Sequence, residues 1–407
     1  MSSPKDLRIE DFTYELPEER IATFPLEKRD DAKLLVYKNG EPGADNFSNL
    51  HQHLPKGTQL VINDTRVVNA RLIFKKETGG KVEVFCLNPD PSEGDVSNAF
   101  EKRGSVRWEA LVGGAKKWKS GPLVLKGETS EGEIEMQAEK VENREGRFVL
   151  DFSWAPENLS FAEVLSKLGN LPLPPYLKRE AEKADLERYQ TVFANREGSV
   201  AAPTASLHFT PEVFEQLDQK RIQRQVFTLH VGAGTFKPVS AEKMADHEMH
   251  YEHFEVSKTF LENVLKNVHN PIVTVGTTSL RTLESLYWLA AKIESCNLKP
   301  GELVVNQWDP YELDAELSVK RCLEILIDFC SKHQVDVLLG KTQLLIAPGY
   351  SFKFANGLIT NFHQPNSTLL LLVAAFVGED WKKIYDFALS NEFRFLSYGD
   401  GSLLWRK

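Results

Sequence analysis

The segment PIVTVGTTSLRTLESL, residues 271–286, places a short β-branched strand directly before a helix. IVTV is apolar enough to be buried on both faces, and Gly276 marks the turn between strand and helix. Strands joined to helices in this way build α/β sheets, in which ligands bind at the carboxyl ends of the strands. We therefore predict an α/β main domain with its site at strand ends of this kind.

Three other apolar strands end in residues that can contact a ligand. QLVIN runs into Asp64 and Arg66, QVFTLH ends at His230 and precedes Gly232 and Gly234, and GLITN precedes His363. Polar side chains at such ends suit a ligand site, and glycines leave backbone amides open to a carboxylate or phosphate. Structural alternatives exist, because Asp64 and Arg66 can pair across a turn and a G-x-G pair alone is weak evidence.

The helix after Gly276 carries Thr277, Thr278 and, in its first turn, Arg281. Free backbone amides, hydroxyl groups and the positive end of a helix dipole together attract an anion. The segment is neither a Walker loop nor a dinucleotide-binding fingerprint, so we predict that a carboxylate or a single phosphate binds here. Simple helix capping is the structural alternative.

The pattern changes between Leu72 and Ser153. Six short alternating runs follow one another at hairpin spacing, separated by clusters of Gly, Asn, Pro and Glu. Such runs are typical of an antiparallel module that closes into a small barrel. We therefore predict a β-barrel domain at 72–153, with residues 1–71 and 154–407 outside it.

A loop of small residues, GSVAAPTASLHF at 198–209, presents Thr204, Ser206 and His208 at alternate positions. Small residues let a backbone approach a ligand closely, and loops of this kind often carry function. A turn that leads into a helix, with His208 as a structural histidine, explains the same residues. The residue types alone do not distinguish between these two interpretations.

The net charge of −9 argues against a general polyanion-binding protein, so any nucleic-acid contact requires a local basic patch. The candidates for such a patch are Lys116, Lys117 and Lys119 around Trp118, Tyr176, Lys178 and Arg179 in a proline-stiffened strip, and Arg188. An indole among lysines can stack on a base while the lysines contact phosphates. A solvated hairpin tip has the same composition.

No apolar run approaches the length of a membrane span, and the longest, 368–377, has half the required length. The N-terminal segment MSSPKDLRIEDF lacks the apolar core of a signal peptide. We therefore predict a cytoplasmic protein with no membrane partner.

Three histidines, His247, His250 and His253, recur at three-residue spacing with Glu252 among them. On a helix this spacing aligns imidazoles for a metal ion. However, YEHFEV alternates like a strand, which divides the histidines between two faces. We therefore predict no metal site here.

Nine stretches closely resemble the S-adenosylmethionine:tRNA ribosyltransferase-isomerase family of queuosine biosynthesis. They are DFTYELPEERIATFPLEKRD (11–30), NDTRVVNARL (63–72), LPLPPYLKR (171–179), ERYQTVFA (187–194) with GSVAAPTASLHF (198–209), HVGAGTFKPV (230–239), MHYEHFEV (249–256), VGTTSLRTLES (275–285), NFHQPNSTLLLLVAAFVG (361–378) and FRFLSYGD (393–400). The stretches are collinear and distributed over the chain, so the ordered series is highly specific. Ser206 is a departure, because the family more often has Gly there.

The resemblance implies an α/β main domain interrupted by a β-barrel, in agreement with the pattern change at 72–153. It also implies that the ribosyl part of S-adenosylmethionine is transferred and isomerised onto 7-aminomethyl-7-deazaguanine at the tRNA wobble position. The product is epoxyqueuosine in tRNA, and adenine and methionine leave. S-adenosylmethionine is then the co-substrate without a metal, tRNA is the partner, and a monomer is expected. The alternatives are a non-catalytic tRNA-binding module, or another α/β transferase acting on a small nucleoside or phosphorylated substrate.

This reaction needs a base for the carbon beside the sulfonium, a proton donor for adenine and anchors for the charges of methionine. His208 is the first candidate base, with His230 and Glu252 as reserves. We expect the methionine carboxylate to be bound by Arg281, Thr277 and Thr278, and the sulfonium or amino group to face Asp64 or Asp400. The proton donor for the departing purine is expected to be His363 or Tyr398. Further contacts to the cofactor are expected from Arg66, Thr204, Gly232 and Gly234. Tyr398 and Asp400 lie in RFLSYGDGSLL, 394–404, which predicts a turn.

Overall fold

Strands and helices alternate along most of the chain outside one central run of strands. The computed structural model describes residues 4–76, 79–129, 132–144, 146–232 and 241–406. The strands are β1 Lys33–Lys38, β2 Glu41–Asn46, β3 Gln59–Asn63, β4 Thr65–Val67, β5 Arg71–Lys75, β6 Lys81–Pro89, β7 Ser105–Gly113, β8 Leu123–Thr129, β9 Gly132–Arg144, β10 Arg147–Ala155, β11 Arg196–Ser199, β12 Gln223–His230, β13 Glu252–Ser257, β14 Ile272–Val275, β15 Val304–Val305, β16 Val337–Thr342, β17 Gly357–Asn361 and β18 Gly401–Trp405.

The helices include two long ones that pack against each other in the main domain, α7 and α9. In chain order the helices are α1 Leu50–His53, α2 Val96–Glu101, α3 Phe161–Leu168, α4 Asp185–Arg188, α5 Pro211–Gln219, α6 Lys258–Lys266, α7 Thr277–Ser295, α8 Asp309–Glu312, α9 Val319–His333, α10 Thr368–Val377 and α11 Trp381–Ser390. Among the described residues, no helix is long and apolar enough to cross a bilayer.

Four parallel strands, β12, β3, β14 and β17, form the middle of a ten-stranded mixed sheet. The full order is β15-β16-β13-β12-β3-β14-β17-β18-β1-β2. Strand β18 runs antiparallel to β17 and parallel to β1, so its first residue, Gly401, pairs with Asn361 at the end of β17. The carboxyl ends of the parallel strands and the starts of β18 and β1 therefore lie at the same edge of the sheet, where such sheets bind ligands.

Helices cover both faces of this sheet because its central strands alternate between two apolar cores. In β3, Leu60 and Ile62 pack with α1 and α5 on one face, and Val61 packs towards α7 on the other. All five residues of β3 are buried. This burial on both faces explains the continuous apolar run that predicts a central strand.

The second unit is the antiparallel sheet β5-β6-β7-β10-β9-β8, in which β5 and β8 approach each other and nearly close a barrel. Its core contains Trp108 and Phe152, and α3 adds Phe161. Ser160 and Glu163 form the predicted capping box at the start of α3. The six predicted runs correspond to the six strands, and the predicted fold class is confirmed.

The C-terminal segment differs from its prediction. The sequence predicts a turn at 394–404, but Gly401–Trp405 forms β18 inside the main sheet. GSLLW lacks the β-branched pattern of a strand and obtains its conformation from pairing with β17 and β1. The barrel strands extend from Arg71 to Ala155, and the division of the chain at 72–153 stays a prediction.

Candidate active site

A cleft opens at the edge of the sheet where β14 and β17 end. It has a volume of about 980 Å³ including its open mouth. Its walls are residues 201–205, 276–278, 360–369 and 396–397, together with Tyr176 and Val231. Three separate loops that the sequence predicts as ligand contacts therefore meet in one space.

The first turn of α7 presents its amino end to this cleft. Gly276 has a φ of +94°, a backbone conformation that favours glycine. It is the N-cap residue of α7 and has no side chain that could accept a hydrogen bond from the first amides of the helix. Thr277 and Thr278 line the cleft directly after it. Because the first amides of a helix have no partners within it, this end can hold an anion, as the sequence predicts.

A smaller chamber adjoins the cleft and shares Thr278, Thr368 and Leu369 with it. Arg281 and Glu252 form a buried ion pair there, with 2.9 Å between Nη1 and Oε2. Arg281 Nε also donates to the carbonyl of Leu344, whereas its Nη2 is buried without a hydrogen-bond partner among the described residues. The chamber therefore contains an incompletely satisfied guanidinium next to a carboxylate.

His363 is the histidine that lines the cleft. Its Nε2 lies 2.9 Å from Thr360 Oγ1, its amide donates to the hydroxyl of Tyr385, and its carbonyl accepts from the hydroxyl of Tyr14. Burial lowers the pKa of His363 to about 3, so the imidazole is neutral at physiological pH.

Two other predicted residues, Asp64 and His230, lie in a polar cluster between the main sheet and the barrel. Asp64 accepts from Thr228 at 2.7 Å, and burial raises its pKa. His230 Nε2 lies 3.2 Å from Glu255 Oε1. Neither Asp64 nor Arg66 lines the cleft. Arg66 is exposed on β4, and the described residues show no ion pair between it and Asp64, so the predicted pairing across a turn is not formed either.

Glu255 joins the barrel to the main sheet, because it accepts from Ser97 of α2 at 2.6 Å and pairs with Arg196 at 2.8 Å. Burial alone would raise the pKa of Glu255, but the hydrogen bonds from His230 and Ser97 and the charge of Arg196 lower it to about 2. A carboxyl with a lowered pKa stabilises the fold above its unfolded pKa, and this contribution is lost as the pH falls towards the folded pKa.

We expect Glu255→Gln to flatten the acid limb of the stability curve. Between pH 7 and pH 3 the wild type should lose about 1–2 kcal/mol more unfolding free energy than the variant, a figure reduced for partial solvent screening. Urea denaturation at a series of pH values measures this difference. Glu316→Gln, at an exposed site, is the control, and parallel curves for wild type and Glu255→Gln would contradict the assignment.

The family model described as "Queuosine biosynthesis protein" matches residues 9–404. The chain belongs to this family. It is 38% identical over 405 residues to an S-adenosylmethionine:tRNA ribosyltransferase-isomerase from Carboxydothermus hydrogenoformans, which covers 98% of this chain and all of the relative. It is also 38% identical over 404 residues to the protein of the same name from Halothermothrix orenii, with the same coverage.

A solved structure, the S-adenosylmethionine tRNA ribosyltransferase from Thermotoga maritima, is 27% identical and covers 97% of this chain and 99% of that chain, with a TM-score of 0.45. The family assignment rests on the family model and the two relatives. This member of the queuosine biosynthesis family is accordingly a transferase in that process.

In this family member, His208 lies outside the cleft. It is 5% exposed, its Nε2 is 3.4 Å from Asn361 Nδ2, and its ring packs against Phe47 at 4.9 Å. Burial lowers the pKa of His208 to about 4. The cleft wall is formed by Thr204 and Asn361 instead, so the geometry favours the structural alternative for His208 over the base.

Tyr398 and Asp400 hold the C-terminal turn and do not line the cleft. The hydroxyl of Tyr398 donates to Asp185 at 2.6 Å. Asp400 accepts from the amide and guanidinium of Arg394 and from the amide of Lys33. Both side chains therefore have structural partners.

The basic residues of this family member differ in their availability. Lys116, Lys117 and Lys119 are exposed at a barrel turn, but Trp118 is 2% exposed and donates to the carbonyl of Gly121. The hypothesis that this indole stacks on a base is therefore wrong, because the ring belongs to the barrel core.

In the proline-stiffened strip, Lys178 forms an ion pair with Glu18, and Arg179 forms a bidentate ion pair with Asp185. Tyr176 lines the cleft and shares a hydrogen bond with Ser397. These contacts attach the strip to the main domain.

Further predicted residues fall in different places. His253 lies on strand β13, as its alternation predicts, and the described residues contain no group of three His, Cys, Asp or Glu side chains arranged for a metal. Gly232 lines the smaller chamber. Gly234 lies outside the described residues.

Several residues that position the cleft were not among the predicted contacts. Asn361, Gln364 and Ser397 line it, and Tyr14 and Tyr385 hold the backbone of His363. Asn361 and Gln364 lie beside His363 in NFHQPNSTL, so the motif contained the signal. Tyr14 is 349 residues away from His363, and no local pattern indicates their contact.

Proposed function

We propose that the cleft and its adjoining chamber bind S-adenosylmethionine and carry out the ribosyltransferase-isomerase reaction on 7-aminomethyl-7-deazaguanine at the wobble position of tRNA. The observation that carries the proposal is the convergence of Thr204, the start of α7 and His363 on one open space. Epoxyqueuosine-tRNA, adenine and methionine are the products. Family membership supports the reaction class.

The methionine end of the substrate is assigned to the smaller chamber. Arg281 follows Thr278 by three residues, so both lie on one face of α7 and both line the chamber. The amino end of the helix and Arg281 hold the carboxylate, and Glu252 faces the ammonium group. A zwitterion thus meets a site with complementary charges, in which both ionic side chains are already buried.

The nucleoside end is assigned to the main cleft, where His363 transfers protons. A neutral imidazole accepts the proton from the carbon made acidic by the adjacent sulfonium. The protonated ring then passes this proton to the departing adenine. The expected reserve base, Glu252, is already paired with Arg281, which favours His363.

Release of free adenine tests this function directly. We expect adenine to accumulate when the protein is mixed with S-adenosylmethionine and tRNA that carries the deazaguanine precursor, and not with unmodified tRNA. Chromatography of the nucleobase measures it. Binding of tRNA without adenine release would support the non-catalytic alternative, and adenine release that is independent of tRNA would contradict the proposed acceptor.

A further inference from the structure

Three arginines line another cavity beside the cleft, separate from the smaller chamber that contains Arg281. Arg29, Arg188 and Arg394 line a shallow cavity of about 20 Å³ that is open to solvent. Each arginine is half-buried, so its charge is held in place and remains accessible. Ser397 lines both this arginine pocket and the cleft, so the two spaces are one residue apart.

The charges of this pocket are not balanced by its own side chains. Arg394 pairs with Asp400 at 3.0 Å. Arg29 donates to the carbonyls of Glu187, Arg188 and Leu207. In the part of the chain that the structure describes, Arg29 makes no ion pair with a carboxylate within 4 Å.

Arg188 is held in a similar way, by the carbonyls of Leu26 and Glu27. Its Nε is buried without a hydrogen-bond partner among the described residues. Burial and the neighbouring Arg188 both lower the pKa of Arg29. The contacts with backbone carbonyls join the loops that carry Arg29 and Arg188, but they do not neutralise the two adjacent positive charges. A bound anion would neutralise them.

An exposed aromatic ring lies next to the pocket. Phe24 is 51% exposed, and the guanidinium of Arg179 lies 4.2 Å from the centroid of its ring. The same guanidinium lies 6.0 Å from the centroid of the Tyr398 ring. Tyr398 itself lines the pocket. Exposed aromatic rings next to cations suit the stacking of an unpaired base.

We propose that the arginine pocket binds a backbone phosphate of the tRNA anticodon loop and that Phe24 stacks on a base beside it. This inference rests on the proposed function, which places the wobble base in the cleft. A nucleotide whose base enters the cleft keeps its phosphates outside it, and the arginine pocket shares Ser397 with the cleft. Arg29 and Arg188 make no ion pair with a carboxylate within 4 Å among the described residues, so they supply local positive charge on a chain with a net charge of −9.

The salt dependence of tRNA binding tests the pocket. Arg188→Gln removes the charge and retains a polar side chain. We expect the slope of log affinity against log salt to fall by about 0.7–0.9 and the KM for tRNA to rise, with kcat at saturating tRNA and S-adenosylmethionine affinity unchanged. Arg188→Lys should restore the slope. Arg321→Gln, at an exposed position of α9, is the matched control.

Phe24→Ala provides an independent test that does not depend on the folding of the arginine variants. Affinity for tRNA should fall at least fivefold while the salt slope stays unchanged, because no charge is lost. An unchanged slope for a folded Arg188→Gln, or unchanged affinity for Phe24→Ala, overturns the proposal. Stabilisation of wild type by inorganic phosphate, lost in Arg188→Gln without any change in the tRNA slope, assigns the pocket to a free anion and overturns it too.

The tests of the arginine pocket can fail independently of the proposed function. If wild type fails to bind tRNA or to release adenine, the proposed function fails before the pocket is tested. If wild type does both and Arg188→Gln behaves like Arg321→Gln, only the pocket assignment is lost.

Discussion

Replacing His363 with glutamine is expected to lower kcat for adenine release by about 10²–10⁴-fold, the usual contribution of a positioned acid–base group. Glutamine keeps a polar group near Thr360 but cannot carry the proton. S-adenosylmethionine affinity should change little, because the methionine end lies in the adjoining chamber. Single-turnover kinetics and calorimetric binding measure the two effects separately.

The matched comparison for this prediction is His208→Gln, because His208 is also buried and contacts Asn361 of the cleft wall. His333→Gln, on α9, serves as a distant control. A loss of kcat below tenfold for His363→Gln, or a larger loss for His208→Gln, would contradict the assignment of proton transfer to His363.

The second large effect is expected at the buried ion pair. Arg281→Met leaves Glu252 buried without its cation and should reduce the free energy of unfolding by about 3–5 kcal/mol. The double variant Arg281→Met/Glu252→Met should recover much of this stability, because two apolar side chains replace two charges. It should not recover S-adenosylmethionine binding, since both anchors for the methionine charges are missing.

Urea denaturation and binding calorimetry on the single and double variants check both halves of this prediction. The exposed pair Arg321–Glu294 is the control, and Arg321→Met should cost less than about 1 kcal/mol. If the double variant regains both stability and S-adenosylmethionine affinity, the pair is purely structural and the methionine end binds elsewhere.

The sequence predicts the strands and helices well where burial controls the pattern. QLVIN is buried on both faces and forms β3, and Ser160 with Glu163 begins α3. It does not predict β18, because GSLLW becomes a strand only through its neighbours β17 and β1. Local propensity therefore accounts for most elements, whereas β18 depends on long-range pairing.

The site is only partly predictable for a related reason. Thr277, Thr278 and His363 follow directly from strand ends, and the topology brings them together. His208 has the same residue-type signal as His363, but Phe47 and Gly401 enclose its ring from distant parts of the chain. Arg29 and Arg188 belong to charged segments that resemble solvated surface, and only the fold shows that the two cations are adjacent.

A crystal structure with S-adenosylmethionine tests the central claim most directly. We expect the methionine carboxylate at the amides of Thr277 and Thr278 near Arg281, the ammonium group at Glu252 and the nucleoside beside His363. S-adenosylmethionine bound instead in the groove between the barrel and the proline strip, next to Arg71 and Lys178, would contradict it.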